Sequence, residues 1–125
     1  MASVLIVDDS PTETYKMEVA LKKNGFEVFK ADNDMDGVAA AKKHLPDLVL
    51  MDVVMPGLNG FQATRQLTQA KETAHIPVII VTTKDQQTDK LWGKRQGAKG
   101  YLVKPVDEKK LVDSVRQVME GAILF

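Results

Sequence analysis

The chain has 125 residues, 44% of them hydrophobic and 27% charged, with 17 acidic side chains against 17 basic ones. That length suits one domain with a single buried core, and the balanced charge leaves no net field to draw the molecule onto nucleic acid or an anionic membrane. The lack of cysteine excludes a disulfide framework and a thiolate metal site, and no apolar run approaches the roughly 20 residues of a membrane helix. The N-terminus shows no basic leader, so the expectation is a cytoplasmic single-domain protein with neither nucleic acid nor membrane as a partner.

The first expected strand is residues 4–7, followed at once by Asp8-Asp9. Ser10-Pro11-Thr12-Glu13 then offers a capping serine, a proline at the first helical position and a glutamate at the third, opening a helix that stops at Asn24-Gly25. A second strand at 26–30 leads to a second helix at about 34–44, which ends before Pro46. The third strand, 47–51, ends in Asp52. Asn59-Gly60 reads as a turn before a third helix at about 60–70, with Phe61 and Leu67 as core contacts. The fourth strand, 77–82, closes on Thr82-Thr83, and the fourth helix, 86–96, stops at Gly97. The fifth strand, 100–103, runs into Lys104-Pro105, and the last helix opens at Asp107 with Leu111, Val115, Val118 and Met119 on one face.

Strands one, three and four are almost unbroken apolar runs, the mark of strands covered on both faces. Five alternations of strand and helix therefore predict an α/β fold, a three-layer α/β/α sandwich around a five-stranded parallel sheet. In such sheets ligands sit beyond the carboxyl ends of the strands. Asp8, Asp9, Asp52, Thr82 and Lys104 all fall on that edge. Singly, each has an ordinary reading: Asp8-Asp9 as turn or cap chemistry, Asp52 as a loop acid, Thr82 as a strand-end hydroxyl, Lys104 as a solvated charge. Together they carry more weight, because three neighbouring carboxylates need a cation to be stable side by side. An oxygen-only ligand set without His or Cys selects a hard ion, Mg²⁺ or Mn²⁺, which normally completes its shell with water and phosphate oxygens.

Asp8-Asp9, Asp52-Val-Val-Met-Pro-Gly, Thr82-Thr83 and Gly100-Tyr-Leu-Val-Lys-Pro105 resemble, across the whole chain, the CheY-type receiver domain of bacterial two-component response regulators. The resemblance implies the flavodoxin-like strand order 2-1-3-4-5. It makes Asp52 the acceptor of a phosphoryl group from a sensor histidine kinase or its phosphotransfer domain. Asp9, Asp52 and the backbone carbonyl of Val54 become ligands of Mg²⁺, and Asp8 holds a metal-bound water. Phosphoryl transfer asks the protein mainly for positioning and charge neutralisation, which suits the Lys104 ammonium. In the family the bond from Lys104 to Pro105 is cis, a sharp turn that aims the lysine inward. Thr82 is the switch hydroxyl that swings toward the phosphoryl group, letting the Tyr101 ring turn inward and altering the effector face of helix 4, strand 5 and helix 5. Read as a residue alone, Tyr101 is an ordinary strand aromatic.

Val54, Thr83 and Lys84 occupy positions that tune access of water to the phosphorylated site. An apolar Val54 cannot orient a water through its side chain, and the sign of the combined effect does not follow from the sequence. More narrowly, Ser10-Pro-Thr-Glu13, the segment 57–67 and Val81-Thr-Thr-Lys-Asp-Gln86 with Trp92-Gly-Lys-Arg-Gln-Gly97 resemble receivers of type IV pilus twitching motility. With no output domain expected after the last helix, the chain reads as a stand-alone switch, either a messenger or a drain for phosphoryl groups. Two other readings are a hydrolase with an aspartyl-phosphate intermediate, disfavoured because Val54 stands where such enzymes keep an acid, and a docking module that is no longer phosphorylated. Trp92 reads as partly buried packing, with a partner-binding anchor as the alternative. His44 and His75 read as surface residues, and the apolar tail 123–125 either folds back onto the sheet edge or meets a partner.

Overall fold

A computed structural model of the chain describes residues 1–54 and 59–125; the Met55-Pro56-Gly57 part of the motif that begins at Asp52, and Leu58, lie outside the described residues. Strands β1 (Ser3–Val7), β2 (Glu27–Ala31), β3 (Leu48–Met51), β4 (Val78–Thr82) and β5 (Gly100–Val103) alternate with helices α1 (Pro11–Lys23), α2 (Asp34–His44), α3 (Gly60–Gln69), α4 (Gln87–Arg95) and α5 (Glu108–Met119). All neighbouring strands pair in parallel, in the order β2-β1-β3-β4-β5. This is the expected doubly wound sheet, and β1 and β3 at its centre bring Val7 and Met51 into register just before Asp8 and Asp52.

The two faces of the sheet follow from the two-residue period of a strand. Val4 and Ile6 join Leu50, Ile79 and Val81 under α1 and α5, where Met17, Leu21, Leu111 and Val115 close the layer. Leu5 and Val7 point the other way, with Val49, Met51 and Val78, onto Val38 and Ala41 of α2 and Ala63 and Leu67 of α3. A smaller cluster of Val53, Phe61, Ile80 and Ala98 lies beside Tyr101. The expected core residues Phe61 and Leu67 are both buried.

The element bounds move from the sequence reading for local reasons. β2 begins at Glu27 rather than Phe26, whose amide instead donates to the Leu21 carbonyl as α1 ends. Asp47 stays out of β3 because its carboxylate accepts the Ser3 amide at 2.8 Å. Pro77 has no N–H to give and precedes β4, although its carbonyl accepts from Val49 at 3.0 Å. Asn59 is more than a turn residue: it caps α3, its side chain accepting the Gln62 amide at 2.9 Å. Gly25 and Gly97 take left-handed φ angles of 88° and 97°, ending α1 and α4 as expected. The tail folds back: the Leu124 amide donates to the Lys99 carbonyl at 2.7 Å and pairs beside Gly100, giving the β5 edge a short cover.

Candidate functional site

The carboxyl ends of β1 and β3 deliver the acids. Each strand holds its acid by backbone pairing, Asp8 N–H to the Ala31 carbonyl at 3.1 Å and Asp52 N–H to the Val7 carbonyl at 2.9 Å. Carboxylate oxygens of Asp8, Asp9 and Asp52 lie within 4.8 Å of one another. Asp8 and Asp52 are buried and Asp9 is exposed, so the cluster opens to solvent on the Asp9 side.

Lys104, delivered by the end of β5, bridges the two buried acids. Its ammonium donates to Asp8 Oδ2 at 2.6 Å and to Asp52 Oδ2 at 3.1 Å, and its amide is fixed on the Thr82 carbonyl at 2.8 Å. The Lys104–Pro105 peptide is cis. Burial opposes the charge on Lys104, but the hydrogen bonds it donates to Asp8 and Asp52, together with the charges of both acids, outweigh it and hold the ammonium above its ordinary range. Asp8 is pushed above the ordinary carboxylate range by burial, an effect that the Lys104 and Ser10 hydrogen bonds only partly offset. Among the described residues, the remaining oxygens of these two acids meet backbone amides: Asp8 Oδ1 accepts from Ser10 at 2.9 Å, and Asp52 Oδ1 from Val54 at 2.9 Å.

The Ser10 contact corrects a detail of the sequence reading. The serine caps α1 by accepting the Glu13 amide at 3.3 Å, but its own N–H goes to Asp8 instead of Glu13, so the capping box is only half formed. Asp8 is thus a turn acid and a member of the cluster at once. Gly60 is a site residue the sequence reading missed. A Cβ there would run into the Asp52 carbonyl oxygen and stand 2.6 Å from Val53 Cα, so the first turn of α3 packs on Asp52 and Val53 only as glycine. The Asn59-Gly60 pair looks like a turn, which concealed that packing role.

The remaining named residues sit around this centre in different relations to it. The Thr82 side chain is fully buried, and its hydroxyl meets the Lys84 amide at 3.5 Å, with no hydrogen bond to Asp52. Thr83 and Val54 are exposed. Lys84 turns its ammonium away, to Asp89 at 3.7 Å in the first turn of α4. Its carbonyl accepts the Tyr101 hydroxyl at 2.9 Å, which holds the half-buried ring beside Gly93 of α4. Burial, then the charges of Asp89, Asp52 and Asp85, pushes the Tyr101 phenol up to about 12. Trp92 and Leu91 are each half exposed on α4, so Trp92 is partly buried as the packing reading expects, with half of its surface open to a partner. His44 and His75 are exposed, His44 stacking on Phe29.

The family model described as "Response regulator receiver domain" matches residues 4–116. The chain belongs to the response regulator receiver family. Protein PilH of Pseudomonas aeruginosa is 65% identical over 121 residues, spanning 97% of this chain and all of that protein. The receiver is also 37% identical to response regulator PleD of Caulobacter vibrioides over 117 residues, 94% of this chain but 26% of PleD. Chemotaxis protein CheY4 of Vibrio cholerae superimposes with a TM-score of 0.89 at 32% identity, covering 94% of this receiver and 98% of that chain. Among the described residues no helix is long and apolar enough to cross a membrane.

The three carboxylates fit the demands of a hard divalent cation: oxygen donors only, one acid exposed, two buried and sharing a single ammonium. Nothing in the cluster, by contrast, suits a soft metal, since no His or Cys belongs to it.

Proposed function

We propose that this receiver takes a phosphoryl group onto Asp52 from a phosphohistidine of a sensor histidine kinase or its phosphotransfer domain, with Mg²⁺ held by Asp9, Asp52 and the Val54 carbonyl and, through water, by Asp8. Mn²⁺ fits the same donors. The observation that carries the reading is the Lys104 ammonium shared between Asp8 and Asp52 beside an exposed Asp9. In the transfer an Asp52 oxygen forms the O–P bond while the N–P bond to the donor imidazole breaks, the bonding pair leaving with the imidazole. Lys104 neutralises the charge spread over the phosphoryl oxygens, and a bound Mg²⁺ supplies the rest of that neutralisation.

The switch rests on the chain from Thr82 to Tyr101. Among the described residues the Thr82 hydroxyl has only the long contact with the Lys84 amide, which leaves its own proton to donate to a phosphoryl group on Asp52. That rotation pulls on the Lys84 segment whose carbonyl holds Tyr101, and Tyr101 faces the surface of α4, β5 and α5 where an effector binds. Beyond its own phosphorylation and dephosphorylation the chain performs no catalysis. By resemblance, the setting is cytoplasmic signalling in type IV pilus twitching motility or a chemotaxis-like pathway, with this one domain acting as a messenger or a phosphoryl drain. The drain reading gains from Lys84, whose ammonium is held by Asp89 at 3.7 Å and not by the acids of the site.

The test is timed labelling by acetyl phosphate or a phosphorylated kinase, with Mg²⁺ and then with chelator. Wild type is expected to label only with the cation, and Asp52→Asn not at all. Stoichiometric labelling of Asp52→Asn sinks the assignment. Turnover of a small phosphoester would favour the hydrolase reading instead.

A further inference from the structure

At the opposite edge of the sheet from Asp52, the carboxyl ends of α3 and α4 and the approach to β5 enclose a cavity of about 340 Å³. Arg65, Arg95, Lys99 and His75 line it, and no acid does. The chain as a whole is balanced at 17 acids and 17 bases, so this concentration of one sign is local. None of the three long bases has an ion pair among the described residues, where Lys22, Lys23, Lys30, Lys42, Lys84, Lys104 and Lys109 do. Glu72, three residues before His75, is engaged elsewhere, with Lys42.

A plain explanation exists for one of these residues: Arg95 ends α4, where a cation complements the helix dipole. It does not extend to Arg65, in the middle of α3, or to Lys99, which precedes β5. A second observation concerns Gln96. This residue is 7% exposed and lines the same cavity, yet among the described residues only its backbone is hydrogen-bonded, its carbonyl accepting the Thr68 hydroxyl at 2.8 Å. Gln96 is thus a mostly buried residue whose solvent-accessible amide has no protein partner among the described residues, beside a cavity lined by two guanidinium groups, so that amide is free to meet an acceptor there. Guanidinium forks match phosphate geometry in pairs, and the cavity has the size of small-molecule sites rather than of a protein groove.

We propose that this cavity is a second binding site, for a small phosphate polyanion, held by Arg65, Arg95 and Lys99 and oriented by the Gln96 amide. It is independent of phosphorylation at Asp52 and needs no divalent cation. The test titrates inorganic pyrophosphate into the full chain with chelator present, following backbone amides by ¹⁵N–¹H correlation spectra at about 0.15 M salt, where exposed charges are screened. Saturable shifts confined to Gln96, Gly97 and Lys99, with a dissociation constant below about 1 mM, are expected. The double variant Arg65→Gln/Arg95→Gln, both at exposed positions, is expected to weaken binding by about tenfold or more while its spectrum stays folded. Gln96→Leu separates a built site from bare surface charge: weakened binding supports the site, unchanged binding refutes the role of Gln96. Non-saturating shifts, shifts centred on Asp8 and Asp52, or an unaltered constant in the double variant would each overturn the proposal.

Discussion

Replacing Lys104 by methionine removes the ammonium that Asp8 and Asp52 share while keeping most of the side-chain volume. The Lys104 side chain is 9% exposed, and those of Asp8 and Asp52 are 1% and 7% exposed, so water replaces the lost contact only in part. Breaking a buried ion pair costs about 3–5 kcal/mol, because the abandoned charge stays buried. Here two carboxylates are abandoned together, but Asp8 is already pushed toward its neutral form and can relieve the cost by protonating. A loss of about 3 kcal/mol at pH 7 is therefore expected. Urea unfolding followed by far-ultraviolet circular dichroism measures it. The pH dependence carries the stronger signature. Without the ammonium the folded-state pKa of Asp8 rises further, and the variant's folded state binds more protons than its unfolded state above the ordinary carboxylate value of 3.8. Its stability must then fall as pH rises through that raised pKa, so the deficit is largest at neutral pH and shrinks toward the acid side. Adding Mg²⁺ at pH 7 is expected to recover part of the loss. A deficit below about 1 kcal/mol at pH 7, the level of a surface pair, would refute the burial argument. So would a deficit that does not change with pH.

Gly60→Ala is expected to lower stability by about 1–3 kcal/mol and to slow phosphorylation, since the added carbon meets the Asp52 carbonyl and must displace the acceptor loop; unfolding and labelling rates measured together check this. Tyr101 is expected to ionise near pH 12, and because burial favours its neutral form, its contribution to stability should fall as pH rises from 10 toward that value. Absorbance titration against Tyr101→Phe identifies the band, and a titration unchanged by the substitution would contradict it. Removing residues 123–125 takes away the Leu124 to Lys99 hydrogen bond and bares the β5 edge. A stability loss of about 1 kcal/mol is expected, with concentration-dependent self-association visible by light scattering.

The fold was legible because its signals are strong and local. Unbroken apolar runs in β1, β3 and β4 belong to central strands, and proline, glycine and capping residues bracket the helices. Bounds slipped where one residue served two purposes, as with Asp47, whose carboxylate binds Ser3 from just outside β3. The acids and Lys104 were legible from their common position at strand ends. What they do to each other was not, since the shared ammonium joins positions 52 and 96 residues apart. Gly60 was hidden because the space its missing Cβ leaves is a tertiary property, and Asn-Gly has a commoner meaning in turns. The sequence placed Lys84 beside the site but left the direction of its ammonium open, and Asp89 decides it. Likewise the tail left two options, and only the pairing of Leu124 chooses between them.

The central claim is chemical, that Asp52 rather than Asp8 or Asp9 carries the phosphoryl group. Its most direct test is reductive trapping: the Mg²⁺-loaded protein is phosphorylated with acetyl phosphate, treated with borohydride to reduce any acyl phosphate to the alcohol, digested and sequenced by mass spectrometry. Homoserine at position 52, absent when Mg²⁺ is chelated, is the expected result. Homoserine at position 8 or 9, or an unmodified Asp52 in protein shown to be folded and metal-loaded, would contradict the account.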